Sequence, residues 1–242
     1  MDENGWNRRP ITERHVQALW YDGALRPKPG EEVELFDGLG HSRRYRWENG
    51  TLCAVGDRAA FPPLPIQLTL FACVTKGSRW DWTIEKAVEL GVARIVPVIS
   101  ERCIVRLAAD ERAAKADRWR RIAADAARQS DAVWLPEVRA AVDFPEAVEL
   151  AKACGHVFVG ALTNPPPPPM WTAVAQELGE RGDPPSSLGV FVGPEGDFTS
   201  AELQTLLAVA TPVSFGPTIL RAETAAIFGV SVLAAACHEM GA

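Results

Sequence analysis

None of the five cysteines (Cys53, Cys73, Cys103, Cys154, Cys237) has a close neighbour of its kind in the sequence. That odd, scattered set argues against both a disulfide framework and a thiolate zinc site. The four histidines, His15, His41, His156 and His238, are equally dispersed, and no metal-ligand spacing occurs, so no metal is expected. No GxGxxG is present, which disfavours an ordinary dinucleotide-binding fold. Lys76-Gly77-Ser78-Arg79 is too short for a phosphate-cradling P-loop, and no Ser/His/Asp arrangement has supporting loop context. The longest run of small apolar residues, Ala225 to Cys237, falls short of the about 20 residues that span a bilayer. The opening MDENGWNRRP carries no apolar signal core. A soluble, cytoplasmic protein without membrane association is therefore expected.

Against these absences stand 242 residues that are 47% hydrophobic and 23% charged, enough for one large domain or a large and a small one. The net charge of −6 is unevenly spread. Residues 66–140 carry 13 Lys+Arg against 10 Asp+Glu, whereas residues 141–242 carry 3 against 11. A basic stripe can be drawn from Arg8, Arg9, Arg43, Arg44 and Arg46 together with Arg112–Arg121. Such a stripe suits a nucleic acid, but on composition alone an ordinary solvated surface of mixed charge is the better account, since a charge run is usually a wet face.

The chain divides by pattern. Over residues 1–65, short strand-like pieces (Glu32–Phe36, Arg44–Trp47, Leu52–Val55) alternate with turn signals such as Asp37-Gly38 and Asn49-Gly50, which predicts a small β-rich domain. Phe61-Pro62-Pro63-Leu64-Pro65 reads as a stiff linker. Residues 66–242 alternate strand and helix. Strands are predicted at Ile66–Val74, Arg94–Ile99, Val133–Val138, His156–Ala161, Leu188–Val192 and Val213–Phe215. Helices are predicted at Trp82–Leu90, Lys115–Gln129, Pro145–Lys152, Met170–Leu178, Ala201–Ala210 and Ala222–Cys237. Pro165–Pro169 is an extended stretch between a strand and a helix. The alternation implies an α/β fold with a mostly parallel sheet, whose ligands sit in loops at the carboxyl ends of strands.

Two such loops carry chemistry. Gly193-Pro194-Glu195-Gly196-Asp197-Phe198 follows an apolar strand and precedes Thr199-Ser200-Ala201-Glu202, a capping-box pattern. Its glycines allow close approach of backbone to a ligand, or simply a tight turn. Ser214-Phe215-Gly216-Pro217-Thr218-Ile219-Leu220-Arg221-Ala222-Glu223-Thr224 runs from a strand end into a helix. Arg221 at that helix start either pairs with Glu223 or Glu195, or recognises an anion.

These loops carry a resemblance. The chain is similar to the RsmE family of bacterial 16S ribosomal RNA methyltransferases, which methylate N3 of a uridine and belong to the SPOUT class. The matching segments include Lys76-Gly77, Ile84–Gly91, Pro97 with Glu101-Arg102, Trp119 with Gln129-Ser130, Pro136-Glu137-Val138, Gly193–Gly196 and Ile219–Ala225. Leu25-Arg26, Gly30 and Leu35–Gly38 extend it into the first domain. The resemblance implies a SPOUT-type parallel sheet with a C-terminal trefoil knot, a PUA-like N-terminal domain that helps hold RNA, and a homodimer. It implies S-adenosyl-L-methionine held by Val159, Gly160, Gly193, Glu195, Gly196, Phe215, Gly216, Ile219 and Leu220. Arg26, Lys76, Arg79, Arg102 and Arg221 are then expected on 16S ribosomal RNA, in the small subunit. Arg221 is expected to stabilise the uracil anion or a flanking phosphate, with Glu223 or Glu195 taking the proton or orienting Arg221. The chain departs from the family at Trp20 (often His), at Arg128 and Asp131-Ala132 (commonly Glu and Gly-Arg), at Asp197 (usually Gly) and at Phe215 (usually Leu). Two other readings remain. A non-catalytic RNA-binding or ribosome-assembly protein on the same fold would bind no methyl donor, and an α/β enzyme for a small nucleotide would turn over without RNA.

Overall fold

The computed structural model describes residues 11–12, 28–180 and 185–241. The basic residues Arg8, Arg9 and Arg26, with Trp20 and Leu25, lie outside the described residues. The chain forms two compact units, Met1–Pro63 and Leu64–Ala242.

The first unit is an antiparallel sheet of β1 (Ile11–Thr12), β2 (Glu32–Phe36), β3 (His41–Glu48), β4 (Thr51–Ala54) and β5 (Ala59–Ala60). Its order is β1-β4-β3-β2, with β5 on β3. The Asn49-Gly50 signal closes the β3–β4 hairpin with φ of 51° and 77°, the positive pair that a two-residue turn of primed type requires. At the other end of β3, Asp37 accepts the backbone N–H groups of Leu39 and His41 at 2.7 and 3.1 Å. Alternation along the strands places Val33, Leu35, Tyr45 and Leu52 in a small core.

The second unit is built on a seven-stranded sheet of β6 (Gln67–Cys73), β7 (Arg94–Ile99), β8 (Glu137–Val138), β9 (Val142–Asp143), β10 (His156–Gly160), β11 (Ser187–Val192) and β12 (Thr211–Val213). The order is β12-β10-β11-β6-β7-β8, with β9 also on β7, and every pairing is parallel. The helices are α1 (Ser78–Glu89), α2 (Ala109–Gln129), α3 (Phe144–Ala151), α4 (Met170–Glu180), α5 (Ser200–Leu207) and α6 (Ala222–Gly241).

Parallel strands covered on both faces need apolar side chains on both, and these strands supply them. Leu68, Leu70, Ala72, Ile95, Phe158, Leu188 and Val190 face one layer, with Trp80 and Ile84 of α1, Trp119 of α2, Val174 of α4 and Val230 of α6. Phe71, Cys73, Val96, Val98, Val157, Val159 and Phe191 face the other, with Val148 of α3 and Leu206 of α5. Phe71 and Phe191, side by side in the β6–β11 register, stack at 4.5 Å between ring centroids.

One segment joins the C-terminal region to the sheet in an unusual way. The Val213 carbonyl accepts from Ala161 N–H at 3.0 Å on one side. Next along the chain, Ser214 N–H donates to the Pro168 carbonyl and its own carbonyl accepts from Met170 N–H, both at 2.9 Å. Residues 213–214 therefore lie between the two legs of the loop that leaves β10 and enters α4. The proline run Pro165–Pro169 forms the outer leg, so it is a pairing surface as well as a connection.

Several boundaries differ from expectation for local reasons. The first turn of α1 begins at Ser78 without any side-chain cap, and α2 begins at Ala109 on an exposed polar turn with no apolar period to betray it. Of the expected strand Val133–Val138, only Glu137–Val138 pairs, because β7 offers partners there at Arg94 and Ile95, while Trp134 and Leu135 are exposed. β12 starts two residues earlier than expected, at Thr211, with Pro212 accommodated in the strand.

The end of α2 explains one departure from the family pattern. Asp131 has φ 54°, and Ala132 N–H reaches back to the Ala127 carbonyl at 2.9 Å, the bond of a left-handed helix terminus that glycine favours. Asp131 occupies a position suited to the glycine usual there. Asp131→Gly is expected to stabilise the protein by about 1 kcal/mol through relief of the left-handed penalty, which raises Tm by roughly 2–4 °C for a chain of this size. A thermal melt showing no rise would contradict this account of the turn.

Candidate active site

The register of three strands decides where the loops meet. Val159 of β10 pairs with Phe191 of β11, and Gly160 of β10 pairs with Val213 of β12. The carboxyl ends of the three strands therefore lie side by side, and the loops after Gly160, Val192 and Val213 leave from one edge. The glycine-bearing loops at 193–198 and 215–221 are neighbours there.

Arg79, from the first turn of α1, links the two loops. Its guanidinium lies 3.5 Å from Glu195 Oε1 and 3.8 Å from Glu223 Oε1. Arg102, from the turn after β7, donates Nη1 to the Gly196 carbonyl at 3.0 Å and to that of Phe198 at 3.5 Å. The capping box at the start of α5 is formed: Thr199 Oγ1 accepts from Glu202 N–H at 3.2 Å, and Glu202 Oε2 accepts from Thr199 N–H at 2.9 Å. The second oxygen of Glu202, a nearly buried residue, accepts from Glu101 N–H at 2.8 Å. The turn at residues 100–102 thus holds the 193–198 loop through one cation and one carboxylate. Sequence reasoning missed this use of Glu202; the only available signal was that it completes the cap.

Inside that loop Asp197 has φ 58°, again where the family usually has glycine. Its Oδ1 accepts from Phe198 N–H at 2.7 Å, and burial pushes its carboxyl above the usual aspartate range. In the second loop, Gly216 has φ 126°, a conformation effectively reserved for glycine, and it sits between Ser214 and the exposed Pro217–Ile219 stretch.

The expected cofactor residues divide by what they present. Gly160, Gly193, Glu195, Gly196, Phe215, Gly216, Ile219 and Leu220 all lie on the converging loops or at their strand ends. Val159 is completely buried in the layer of α3 and α5, so only its backbone is on offer. Ile219 is 82% exposed, an apolar side chain left uncovered at the loop tip. Leu220 and Phe215 lean against the core. Of the expected RNA contacts, Lys76 is exposed beside α1, whereas Arg79 and Arg102 direct their guanidinium groups at the loops.

Arg221 and Glu223 flank the start of α6. Arg221 is exposed, and among the described residues no carboxylate or carbonyl is bonded to its side chain. The ion pair that a bland reading gave Arg221 is made by Arg79 instead. Glu223 is half-buried, with Oε1 towards Arg79 and Oε2 shielded from water without any hydrogen-bond partner. A buried carboxylate oxygen lacking a donor is costly, and a ligand bringing a cation, an N–H or an O–H would satisfy it. A backbone bare of Cβ atoms, an uncovered apolar tip and an unsatisfied anionic oxygen suit a folded ligand with apolar and cationic parts.

A family model described as an RNA methyltransferase domain matches residues 62–234. The ribosomal RNA small subunit methyltransferase E of Mycobacterium bovis is 31% identical over 215 residues, covering 83% of this chain and 77% of that protein. The chain belongs to this methyltransferase family. The Synechocystis sp. member is 29% identical over 219 residues, 89% of this chain and 69% of its own length. Among solved structures, the Neisseria gonorrhoeae ribosomal RNA small subunit methyltransferase E, crystallised with S-adenosyl methionine, superposes with a TM-score of 0.74 at 29% identity, covering 93% of this chain and 90% of that one.

Within the family frame, Phe215 marks a local solution. A Cβ built on Gly160 would overlap the Phe215 ring, which also tilts against Phe228 at 5.7 Å. Gly160→Ala is therefore expected to destabilise by about 1–3 kcal/mol through overpacking. Adding Phe215→Leu should recover most of that loss. Denaturant unfolding of the two single variants and the double variant measures the coupling, and simple additivity would show that the two residues do not share this space.

Proposed function

We propose that the chain methylates N3 of a uridine in small-subunit ribosomal RNA, using S-adenosyl-L-methionine held by the converging loops at 160, 193–196 and 215–221. Three matters support this: membership of the family, the donor named for the Neisseria gonorrhoeae relative, and the adjacency of loops that the β10–β11 and β10–β12 registers enforce. The observation that carries the proposal is Arg221. Among the described residues it is a cation without an ion pair at the edge of the loops, beside a carboxylate whose inner oxygen lacks a donor.

The donor supplies an activated methyl group on a sulfonium. The chain's own work is to hold, align and handle a proton. The Cβ side of Gly216 is open and lets a ligand lie close to the backbone, whereas those of Gly160, Gly193 and Gly196 are filled by Phe215, by Asp197 and Phe198, and by Arg102, which packs the strand ends tightly beneath it. Alignment of nucleophile and methyl carbon lowers the barrier by restricting motion that a free encounter would have to sacrifice. Uracil N3 must lose its proton, and the charge that develops spreads from N3 onto the two flanking carbonyl oxygens. Arg221 offers a planar, permanently charged set of donors to that anion. Glu223 Oε2 is the carboxylate oxygen left to accept the proton, while Arg79 keeps Oε1 occupied. The target base must leave its stack to enter such a pocket.

The finer architecture belongs to the same reading. The two-sided bonding of residues 213–214 by the legs of the 161–170 loop supports a C-terminal trefoil knot of the SPOUT kind. The antiparallel sheet of residues 28–63 supports a PUA-like RNA-holding domain ahead of a methyltransferase domain, with the division near residue 65. Likeness to the family supports a homodimer that acts in the cytoplasm on the small ribosomal subunit. Among the described residues, no helix is long and apolar enough to cross a membrane.

The deciding experiment incubates the protein with labelled donor and unmodified small subunits, then maps the labelled base. Arg221→Ala is expected to lower transfer by at least about 100-fold while calorimetry shows donor binding nearly intact. Full activity in that variant would remove Arg221 from the chemistry. A parent protein that binds no donor at millimolar concentration would instead favour an RNA-binding protein without catalysis.

A further inference from the structure

A second cavity lies at the amino end of α1, where β6 delivers the chain into the helix. It encloses about 330 Å³, within the range of small-molecule sites. Val74, Val105 and Leu107 give it apolar walls, and Trp80 and Trp119, packed edge to face at 5.6 Å, close its depth. Its polar groups are unusual. Thr75 and Trp80 are 4% and 2% exposed, and among the described residues Thr75 Oγ1 and Trp80 Nε1 have no hydrogen-bond partner. Two buried polar groups unsatisfied in one cavity wall are uncommon in a finished fold and mark a place where a ligand completes the bonding.

The charge at the rim has a definite sign. Arg118 is bound to Asp81 through both nitrogens, with Nη1 to Oδ1 at 2.7 Å, so that pair is neutral. Lys115, one turn earlier on α2 and exposed, has no ion pair among the described residues. The first turn of α1 opens at Gly77, with φ 67° and no side-chain cap, so its N–H groups lack a side-chain acceptor at the positive end of the helix. One free ammonium and one uncapped helix start provide for a single anionic group, and the indole N–H and hydroxyl provide for a polar edge on apolar walls. The same turn sends Arg79 to Glu195 and Glu223 and sets Ser78 and Trp80 at the cavity, so one helical turn serves both the proposed catalytic loops and the cavity.

We infer that this cavity is a second substrate subsite that takes one nucleotide of the RNA next to the methylated one. Its phosphate lies on Lys115 and the first turn of α1, and its base lies against the apolar wall with an edge on Trp80 Nε1 and Thr75 Oγ1. The inference rests on the RNA-methylating function proposed above.

The test measures binding of unmodified small-subunit RNA to the full chain across a salt series, with methyl transfer measured alongside. Lys115→Met, at an exposed position, should weaken RNA binding about 3–10-fold and lower the salt slope by about 0.7, as for one lost phosphate contact on a single strand. Trp80→Phe keeps an aromatic six-membered ring, loses the pyrrole ring with its N–H, and should weaken binding while leaving the salt slope unchanged. In both variants the KM for RNA should rise and calorimetric donor binding should match the parent. Parental affinity and slope in both variants would overturn the subsite. So would an equal loss of donor binding, since the cavity would then belong to the donor. A parent that binds RNA but transfers no methyl group would remove the proposed activity and leave this comparison readable.

Discussion

The backbone of Val213 and Ser214 is held from both sides by one loop, and the active region depends on that constraint. Ala161 bonds it on the β10 side, and Pro168 and Met170 bond it on the α4 side. Once β12 is seated there, the chain can leave only past the end of β10. Phe215 is brought onto Gly160, and Gly216 turns the chain with a φ closed to other residues. Bonding of one strand end on both sides brings loops distant in sequence close without long insertions to fix them.

Seating alone does not fix the loops, because each carries glycine and would be pliant if left free. The remaining order comes from polar groups that belong to neither loop. Arg102 and Glu202 hold residues 196–199 against the turn after β7, and Arg79 spans Glu195 and Glu223. All three are tied to the second unit's sheet through short connections, so the site is positioned by the rigid β6–β7–β11 part of the sheet. Half-exposed ion pairs contribute little to stability, and the function of these pairs is positional.

How much of this could be read from the sequence follows from which signals are periodic. Arg94–Ile99 was legible to the residue because its side chains are apolar on both faces and glycine and polar residues bound it. The core helices were legible from their apolar spacing. The opening turns of α1 and α2 were not, since Ser78-Arg79 and Ala109–Glu111 are exposed and carry no period. The two-residue strand β9 was beyond reach and β8 was read as a longer strand, because the extent of both depends on what β7 offers opposite them. At the site, glycines and the cap pattern were visible. The partners of Arg79 and Arg102 were not, since each bond spans about a hundred residues or more. Read locally, both arginines looked like surface charge for RNA. Asp131 and Asp197 looked like lost glycines, and their positive φ shows that the backbone kept the conformation while the residue changed.

The uneven charge of the chain also acquires a physical reading. Residues 141–242 hold 11 carboxylates and 3 cations, so a cation there would ordinarily be captured by its neighbours. Lys152 is bonded in this way to Glu149 at 2.6 Å. Arg221 has Glu223 two residues away and Glu195 on the neighbouring loop, yet both carboxylates face Arg79. A cation supplied from the basic middle of the chain thus occupies the acids that would otherwise neutralise Arg221. Within a lowered dielectric, an unpaired guanidinium interacts far more strongly with an anion than one already shared with a carboxylate. The acidic C-terminal segment therefore does not oppose a role in RNA chemistry, because Arg79 holds Glu195 and Glu223 away from Arg221, the arginine proposed to meet a negative charge.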